Sequence, residues 1–321
     1  MNVSVIVTVK NEGDGLRSLL DSLINQTCFA DDVVICDGGS TDNTLEILEE
    51  YRQFLPLKII VAPGSNISQG RNRAIEAATG LIIAVTDAGV SLSPDWLEEL
   101  IQPIVSGKTA VASGWFEPDP YTDFEVVMGA TVLPARDEIN PATFLPSSRS
   151  VAFTRTAWEE VGGYPEWLDY GEDLVFDRSL RDLYGPFPFE SRAVVYFRPR
   201  GNLRSFFRQY YYYARGDGKA NLWPERHLIR YVTYLVLLPF IMRLIWREKW
   251  PGWILAVLGI GSYSRRPAER LWESTWGWRP PARLRAFAMI PIIRLVGDVA
   301  KMLGYPVGLI WRRRNLRNIS S

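Results

Sequence analysis

Two kinds of hydrophobic pattern take turns along the first hundred residues. Val3–Val9 is a nearly continuous β-branched run, as in a strand covered on both faces. Asn11-Glu12-Gly13 breaks it, and Leu16, Leu19, Leu20 and Leu23 follow at helical spacing. Val33–Cys36 predicts a second strand that ends at Asp37. Ser40, Thr41 or Asp42 is placed to cap the next helix, which carries Leu45, Ile47 and Leu48. Leu57–Val61 predicts a third strand, and Ile67–Ala78 a helix that stops at Gly80. Leu81–Val85 predicts a fourth strand, and Pro94–Ile104 a helix with proline in its first turn. This alternation predicts an α/β fold with a doubly wound, mainly parallel sheet. Residues 109–197 are less regular, with strand-like pieces at Ala110–Trp115 and Ala193–Phe197.

The pattern changes again towards the C-terminus. Tyr231–Met242 is uncharged for 12 residues between Arg230 and Arg243, and Trp250–Tyr263 is apolar but carries Pro251 and several glycines. A third stretch runs from Phe287 through Ile293. A spanning helix needs about 20 apolar residues, so none of the three is expected to cross a membrane cleanly. Arg294, Asp298 and Lys301 share one helical face, while Leu295, Val296, Val299, Met302 and Leu303 fill another. That pattern predicts an amphipathic surface helix. The expected organisation is a domain over 1–220 and a helical, membrane-associated region over 221–321.

Charge sharpens this division. The net charge is zero, yet residues 198–321 hold 23 Lys and Arg against 6 Asp and Glu, and residues 1–197 carry the opposite excess. A basic tail rich in Trp, Tyr and Leu points to an anionic membrane surface, with no nucleic acid as partner. Cys28 and Cys36 are too few for a disulfide framework and lack metal spacing, which fits a reducing compartment. The single His227 argues against a histidine metal site or a Ser/His triad. The chain enters its first strand at once, so no cleavable signal peptide is expected.

The candidate chemistry is carried by acids at strand ends, where open α/β sheets bind ligands. Asp37 heads Asp37-Gly38-Gly39-Ser40-Thr41-Asp42, where the glycines let a ligand approach the backbone and the carboxylate accepts from a base or ribose. Asp42 reads better as a helix cap. In Ser68-Gln69-Gly70-Arg71-Asn72-Arg73, polar residues open a helix whose N-terminus favours anionic groups. Asp87, in Thr86-Asp87-Ala88-Gly89, is placed to hold a divalent cation, Mg²⁺ or Mn²⁺, against a diphosphate leaving group. Glu172-Asp173 follows Gly162-Gly163-Tyr164-Pro165-Glu166 and supplies a base for an acceptor hydroxyl. Arg204, Arg208 and Arg215 mark a basic face beside the Tyr210–Tyr213 run.

In order, these segments resemble the family 2 inverting glycosyltransferases with the nucleotide-sugar-binding GT-A fold, of a membrane-associated bacterial type. Val3 to Glu12, with Thr8, Asn11 and Glu12, is similar to the family's first strand and loop. Val34 to Thr44 is similar to its nucleotide-binding strand, which implies that Asp37, Gly39 and Ser40 meet the nucleotide, with Gly70, Arg71 and Asn72 also on the donor side. Thr86-Asp87-Ala88-Gly89 stands where the family has Asp-x-Asp. The resemblance implies donor or metal contacts for Asp87 and Ala88, and Gly89 departs from it at the second acid. Ser147 to Phe153, then Gly163 and Glu172-Asp173, is similar to the acceptor-side segment. It implies Asp173 as catalytic base beside Glu172, with Arg149, Gly163 and Arg208 on the acceptor or diphosphate side. The Gln-x-x-Arg-Trp signature of processive members is absent, which implies single additions.

The implied activity is transfer of a sugar from a nucleotide-sugar donor to a hydroxyl of a lipid-linked or cell-envelope glycan acceptor, at the cytoplasmic side of the cell membrane. The enzyme would sit there peripherally or through short membrane-embedded helices. Gly89 motivates an alternative, a catalytically inactive sugar-nucleotide sensor or scaffold. A nucleotidyltransferase would want a basic, glycine-rich loop after the first strand, and Asn11-Glu12-Gly13-Asp14 is acidic.

Overall fold

A computed structural model of the chain describes residues 2–248 and 250–319. Its strands are β1 (Val3–Val9), β2 (Asp32–Asp37), β3 (Leu57–Val61), β4 (Ile82–Val85), β5 (Val90–Leu92), β6 (Val111–Pro118), β7 (Val151–Thr154) and β8 (Phe189–Phe197). The first seven helices are α1 (Gly15–Ile24), α2 (Thr44–Tyr51), α3 (Ile67–Ala77), α4 (Trp96–Val105), α5 (Asp123–Val132), α6 (Arg155–Glu160) and α7 (Glu172–Tyr184). They are followed by α8 (Leu203–Ala220), α9 (Pro224–Val232), α10 (Leu238–Glu248), α11 (Trp250–Ser274) and α12 (Pro280–Ile319). Two compact units result, one of residues 1–119 and 136–198, the other of 120–135 and 199–321.

The first unit is built on a sheet of order β3-β2-β1-β4-β7-β6-β8-β5. β1 pairs in parallel with β2 and β4, and β2 with β3, as the strand–helix alternation predicts. Past β4 the sheet becomes mixed: β7 is antiparallel to both β4 and β6, whereas β8 is parallel to β6 and antiparallel to β5. Strand periodicity sorts the two faces. Val3, Val5, Val7 and Val9 pack with leucines of α1 and with α2 and α4, while Ile6, Val34, Cys36 and Val85 pack with Ala74 and Ile75 of α3 and Phe176 of α7. Register brings Val9 beside Asp37 and Ile6 beside Val85, so β1, β2 and β4 end along one edge. The helix after β2 starts later than expected. Asn43 takes the N-cap position, and Asp42 accepts from the Thr44 amide (3.1 Å) and hydroxyl (2.6 Å).

The second unit is helical. α5, α8, α11 and α12 share a core of Val127, Met128, Phe206, Leu271, Ile290 and Ile293. α8 and α12 cross with backbones nearly touching: a methyl on Gly304 would fall 2.2 Å from the Tyr211 carbonyl, and one on Gly308 2.1 Å from that of Arg215. This crossing ties residues 203–220 to α12, so the change of unit falls at 198 rather than at the expected 220.

One expectation for this region is overturned. The apolar stretch after Arg230 is not limited to 12 residues, because the helix runs without a break through both flanking arginines. Pro224–Arg247, 24 residues with an apolar window that is unburied, is long and apolar enough to cross a membrane. A π-turn at Thr233–Leu237 ends two residues before Pro239, which lacks the N–H that would continue the helical ladder.

Candidate active site

The edge where β1, β2 and β4 end gathers the charged groups of the first unit. Arg71 on α3 is the hub. It is 2% exposed, and its guanidinium reaches Glu172 at 2.6 Å and Asp87 at 2.8 Å. Its plane lies over the Tyr164 ring, 5.2 Å from the centroid. Arg149, which also lies against Phe197, approaches the other Asp87 oxygen at 3.5 Å. Two cations thus flank Asp87, the carboxylate that follows β4. Burial works against the charge on Arg71, but Glu172 and Asp87 outweigh it and hold the guanidinium protonated more firmly than usual.

The acids at the start of α7 are pushed the other way. Burial, then the neighbouring Asp173, raises Glu172 to about 7 from 4.5 despite Arg71. Burial also raises Asp173, with Arg71 opposing it. The pair differs in freedom. Glu172 is buried and locked to Arg71, whereas Asp173 keeps part of its surface open and accepts the Leu174 amide at 2.8 Å. One turn on, Asp177 is fully buried and neither carboxylate oxygen has a partner among the described residues. Its carboxyl is pushed well above the usual range by burial. Sequence reasoning passed over Asp177, although its spacing of four from Asp173 on an acidic helix start was a usable signal.

Asp37 is fully buried at the end of β2. Its carboxylate accepts the Gly39 amide at 3.0 Å, the Ser40 amide at 2.9 Å and the Ser40 hydroxyl. Gly39 takes φ +90°, and a methyl there would meet Pro63 at 3.0 Å. Asn11, at φ 55°, joins this loop to the first by accepting the Thr41 amide at 2.8 Å, and its own amide donates to Ser40. Asn11, Asp37 and Ser40 therefore shape the rim of the edge, Thr8 faces α3, and Ala88 packs against the core. Glu12 reaches towards Gly89: a methyl on Gly89 would stand 3.5 Å from the Glu12 carboxylate.

Several predicted residues have packing roles instead. Gly70 lets α3 approach β1, since a methyl would meet the Thr8 side chain at 3.0 Å. The Asn72 amide is fully committed. It donates to the Tyr164 carbonyl and Glu166, and accepts from the Tyr164 amide and the Trp158 indole. No capacity remains for a donor nucleotide, and Asn72 pins the Gly162–Glu166 loop instead. Gly163, at φ +74°, closes that loop where a methyl would fall 2.9 Å from the Asn72 oxygen. Arg208 belongs to the second unit, on α8 over the Tyr212 ring.

The expected cation is not matched by a donor set. No group of three His, Cys, Asp or Glu placed to hold a metal occurs among the described residues. Asp87 is already engaged by two guanidiniums, and Gly89 offers no side-chain oxygen. The residues present do not fit a cation held by the protein alone.

Comparison with known proteins places this geometry. Residues 4–146 match the model of the glycosyl transferase family 2. An uncharacterized glycosyltransferase of Escherichia coli, YibD, is 38% identical over 100 residues, 31% of this chain and 29% of that protein. Chondroitin synthase of Pasteurella multocida is 26% identical over 180 residues, 56% of this chain and 18% of its own. The chain thus spans less than a third of the length of these two relatives. Glycosyltransferase AglE of Haloferax volcanii is 28% identical over 73% of this chain and 79% of its own. Among solved structures, a mannosyltransferase from Pyrobaculum calidifontis in complex with GDP-Man and Mn²⁺ superposes with TM-score 0.55 at 19% identity, over 99% of this chain and 87% of its own. S. aureus TarS in complex with UDP-GlcNAc gives 0.51 at 20% identity, over 98% and 92%. These likenesses show a GT-A fold, as the sequence predicts.

Proposed function

For this chain, which carries a family 2 glycosyltransferase domain, we propose inverting transfer of a sugar from a nucleotide-sugar donor to an acceptor hydroxyl, with Asp173 as the base. The observation that carries this reading is the division of labour in the acid pair. Arg71 locks Glu172, while Asp173 stays partly open and is raised by burial towards the range useful for a base. The acceptor oxygen attacks the anomeric carbon as its proton passes to Asp173. The bond from that carbon to the diphosphate oxygen breaks, and the nucleoside diphosphate leaves with the electron pair. In this reading Arg71 and Arg149, the two guanidiniums that pair with Asp87, offset that negative charge.

The acceptor class we infer is a lipid-linked or cell-envelope glycan. The exposed apolar helix Pro224–Arg247 and the basic second unit support catalysis at a membrane surface, and we assign the cytoplasmic side because nucleotide sugars are the donors in this reading. Asp173→Asn is expected to leave donor binding, read by calorimetry, within a few-fold of wild type and to abolish transfer. The donor is found by screening UDP-, GDP- and dTDP-sugars for released nucleotide with Mg²⁺, with Mn²⁺ and with chelator, which also tests the cation. Wild-type transfer rates in Asp173→Asn would sink the assignment. Donor binding without turnover in the wild type, across all donors and metals, would favour the sensor reading that Gly89 motivates.

A further inference from the structure

The second unit holds a group of cations that the transfer chemistry does not use. α10 and the first half of α11 lie side by side as a hairpin. A methyl on Gly252 would fall 2.3 Å from the Ile245 amide nitrogen, and further along the Tyr234 and Tyr263 hydroxyls stand 3.3 Å apart. The outer surface of this hairpin is apolar, with Leu235, Phe240, Trp253, Val257 and Leu258 all exposed. That surface stops at Tyr263, and after Ser264 come Arg265 and Arg266.

Arg294 of α12 closes the same end. Its guanidinium donates to the Tyr263 carbonyl and lies 3.7 Å from the centroid of the Tyr263 ring, and neither contact neutralises it. Together Ser262, Tyr263, Arg265, Arg266, Glu269 and Arg294 line a cavity of about 500 Å³. Three guanidiniums face one carboxylate there, and Glu269 is taken by Arg265 at 2.9 Å. Arg266 has no hydrogen-bond or ion-pair partner among the described residues. The nearby Asp298 is spent on Arg230 at 2.7 Å and on the Tyr234 and Tyr263 hydroxyls. The cavity therefore keeps a cationic excess.

We propose that this cavity binds a phosphate group, presented by the headgroup of an anionic membrane lipid. Planar guanidiniums match phosphate oxygens two at a time. The location suits a lipid source, because the arginines begin where the apolar face of the hairpin ends, as at the boundary between acyl chains and headgroups. A soluble diphosphate shares the chemistry, so the test separates the two.

Full-length chain in neutral detergent is titrated with short-chain phosphatidylglycerol, with short-chain phosphatidylcholine and with inorganic diphosphate, and bound ligand is counted by native mass spectrometry. One phosphatidylglycerol is expected to bind in preference to phosphatidylcholine. Arg266→Gln is expected to weaken it about five-fold, and Arg266→Gln with Arg294→Gln about thirty-fold, from roughly 1 kcal/mol per arginine. Arg266 is exposed and unpaired, so its single variant keeps the test valid if the loss of Arg294 unsettles the fold. The control Arg313→Gln with Arg314→Gln removes equal charge about 28 Å along α12 and is expected to change nothing. Diphosphate binding with the same dependence on Arg266, and no lipid preference, would keep the phosphate site and replace the lipid by a soluble source. Lipid binding indifferent to Arg266, or lost equally in the control, would overturn the proposal.

Discussion

Replacing Glu172 with Gln tests the electrostatics of the acid pair through the pH dependence of stability. Glu172 is 5% exposed and rises from 4.5 to about 7 on folding, chiefly by burial. Between those pH values the folded chain holds a proton that the unfolded chain has released. Stability from this group is therefore lost as pH rises through the window. The interval corresponds to about 3 kcal/mol at about 1.4 kcal/mol per pH unit. Glutamine does not titrate, so the wild type should lose about 2.5 kcal/mol more than Glu172→Gln between pH 5 and pH 8, the part of the interval that window covers. Glu172 meets Arg71 as an anion only above its raised value, and that attraction already opposes burial in the figure of about 7. Asp173 stays in both proteins, and the two carboxyls titrate as a pair, so the slope is read as the pair's. Hydrogen exchange of the β1 and β4 amides, compared between the two proteins at each pH, measures the difference because intrinsic exchange cancels. Parallel pH profiles would refute the claim that burial strains Glu172.

Two further outcomes follow from the packing around the site. Arg71→Met leaves Glu172 and Asp87 without their shared cation and is expected to destabilise the first unit by about 3–5 kcal/mol, read as a lowered thermal midpoint; an unchanged midpoint would show that the ion pairs are not formed in solution. Gly162 and Gly163 both take positive φ, at +76° and +74°, but a methyl on Gly162 meets open space whereas one on Gly163 meets Asn72 and Trp158. Gly162→Ala should cost about 1–2 kcal/mol of backbone strain and Gly163→Ala distinctly more, by the same thermal measurement; equal losses would contradict the committed Asn72 amide.

The local half of this protein was written in short-range periodicity. β1 to β4 and α1 to α4 come from alternating and helical hydrophobic spacing over windows of about ten residues, and the acids at the ends of β2 and β4 fall where that alternation stops. A period needs only neighbours, so one sequence is enough to read it. The sequence also marked Glu172 and Asp173, but only as two acids at a helix start. Their different roles arise from Arg71, 101 positions before Glu172, which bridges to Asp87 and holds one acid while leaving the other open. Asn72 looked like a polar helix-face residue and became a structural pin because the Gly163 turn delivers Tyr164 and Glu166 to it from 92 and 94 positions away. The arginine cavity beside Tyr263 depends in the same way on a neighbour distant in sequence, Arg294. Burial raises Glu172 and orphans Asp177 only once the chain has closed around them, so charge state, partner and cavity are properties of the packed molecule, whereas strand, helix and turn are already properties of the chain.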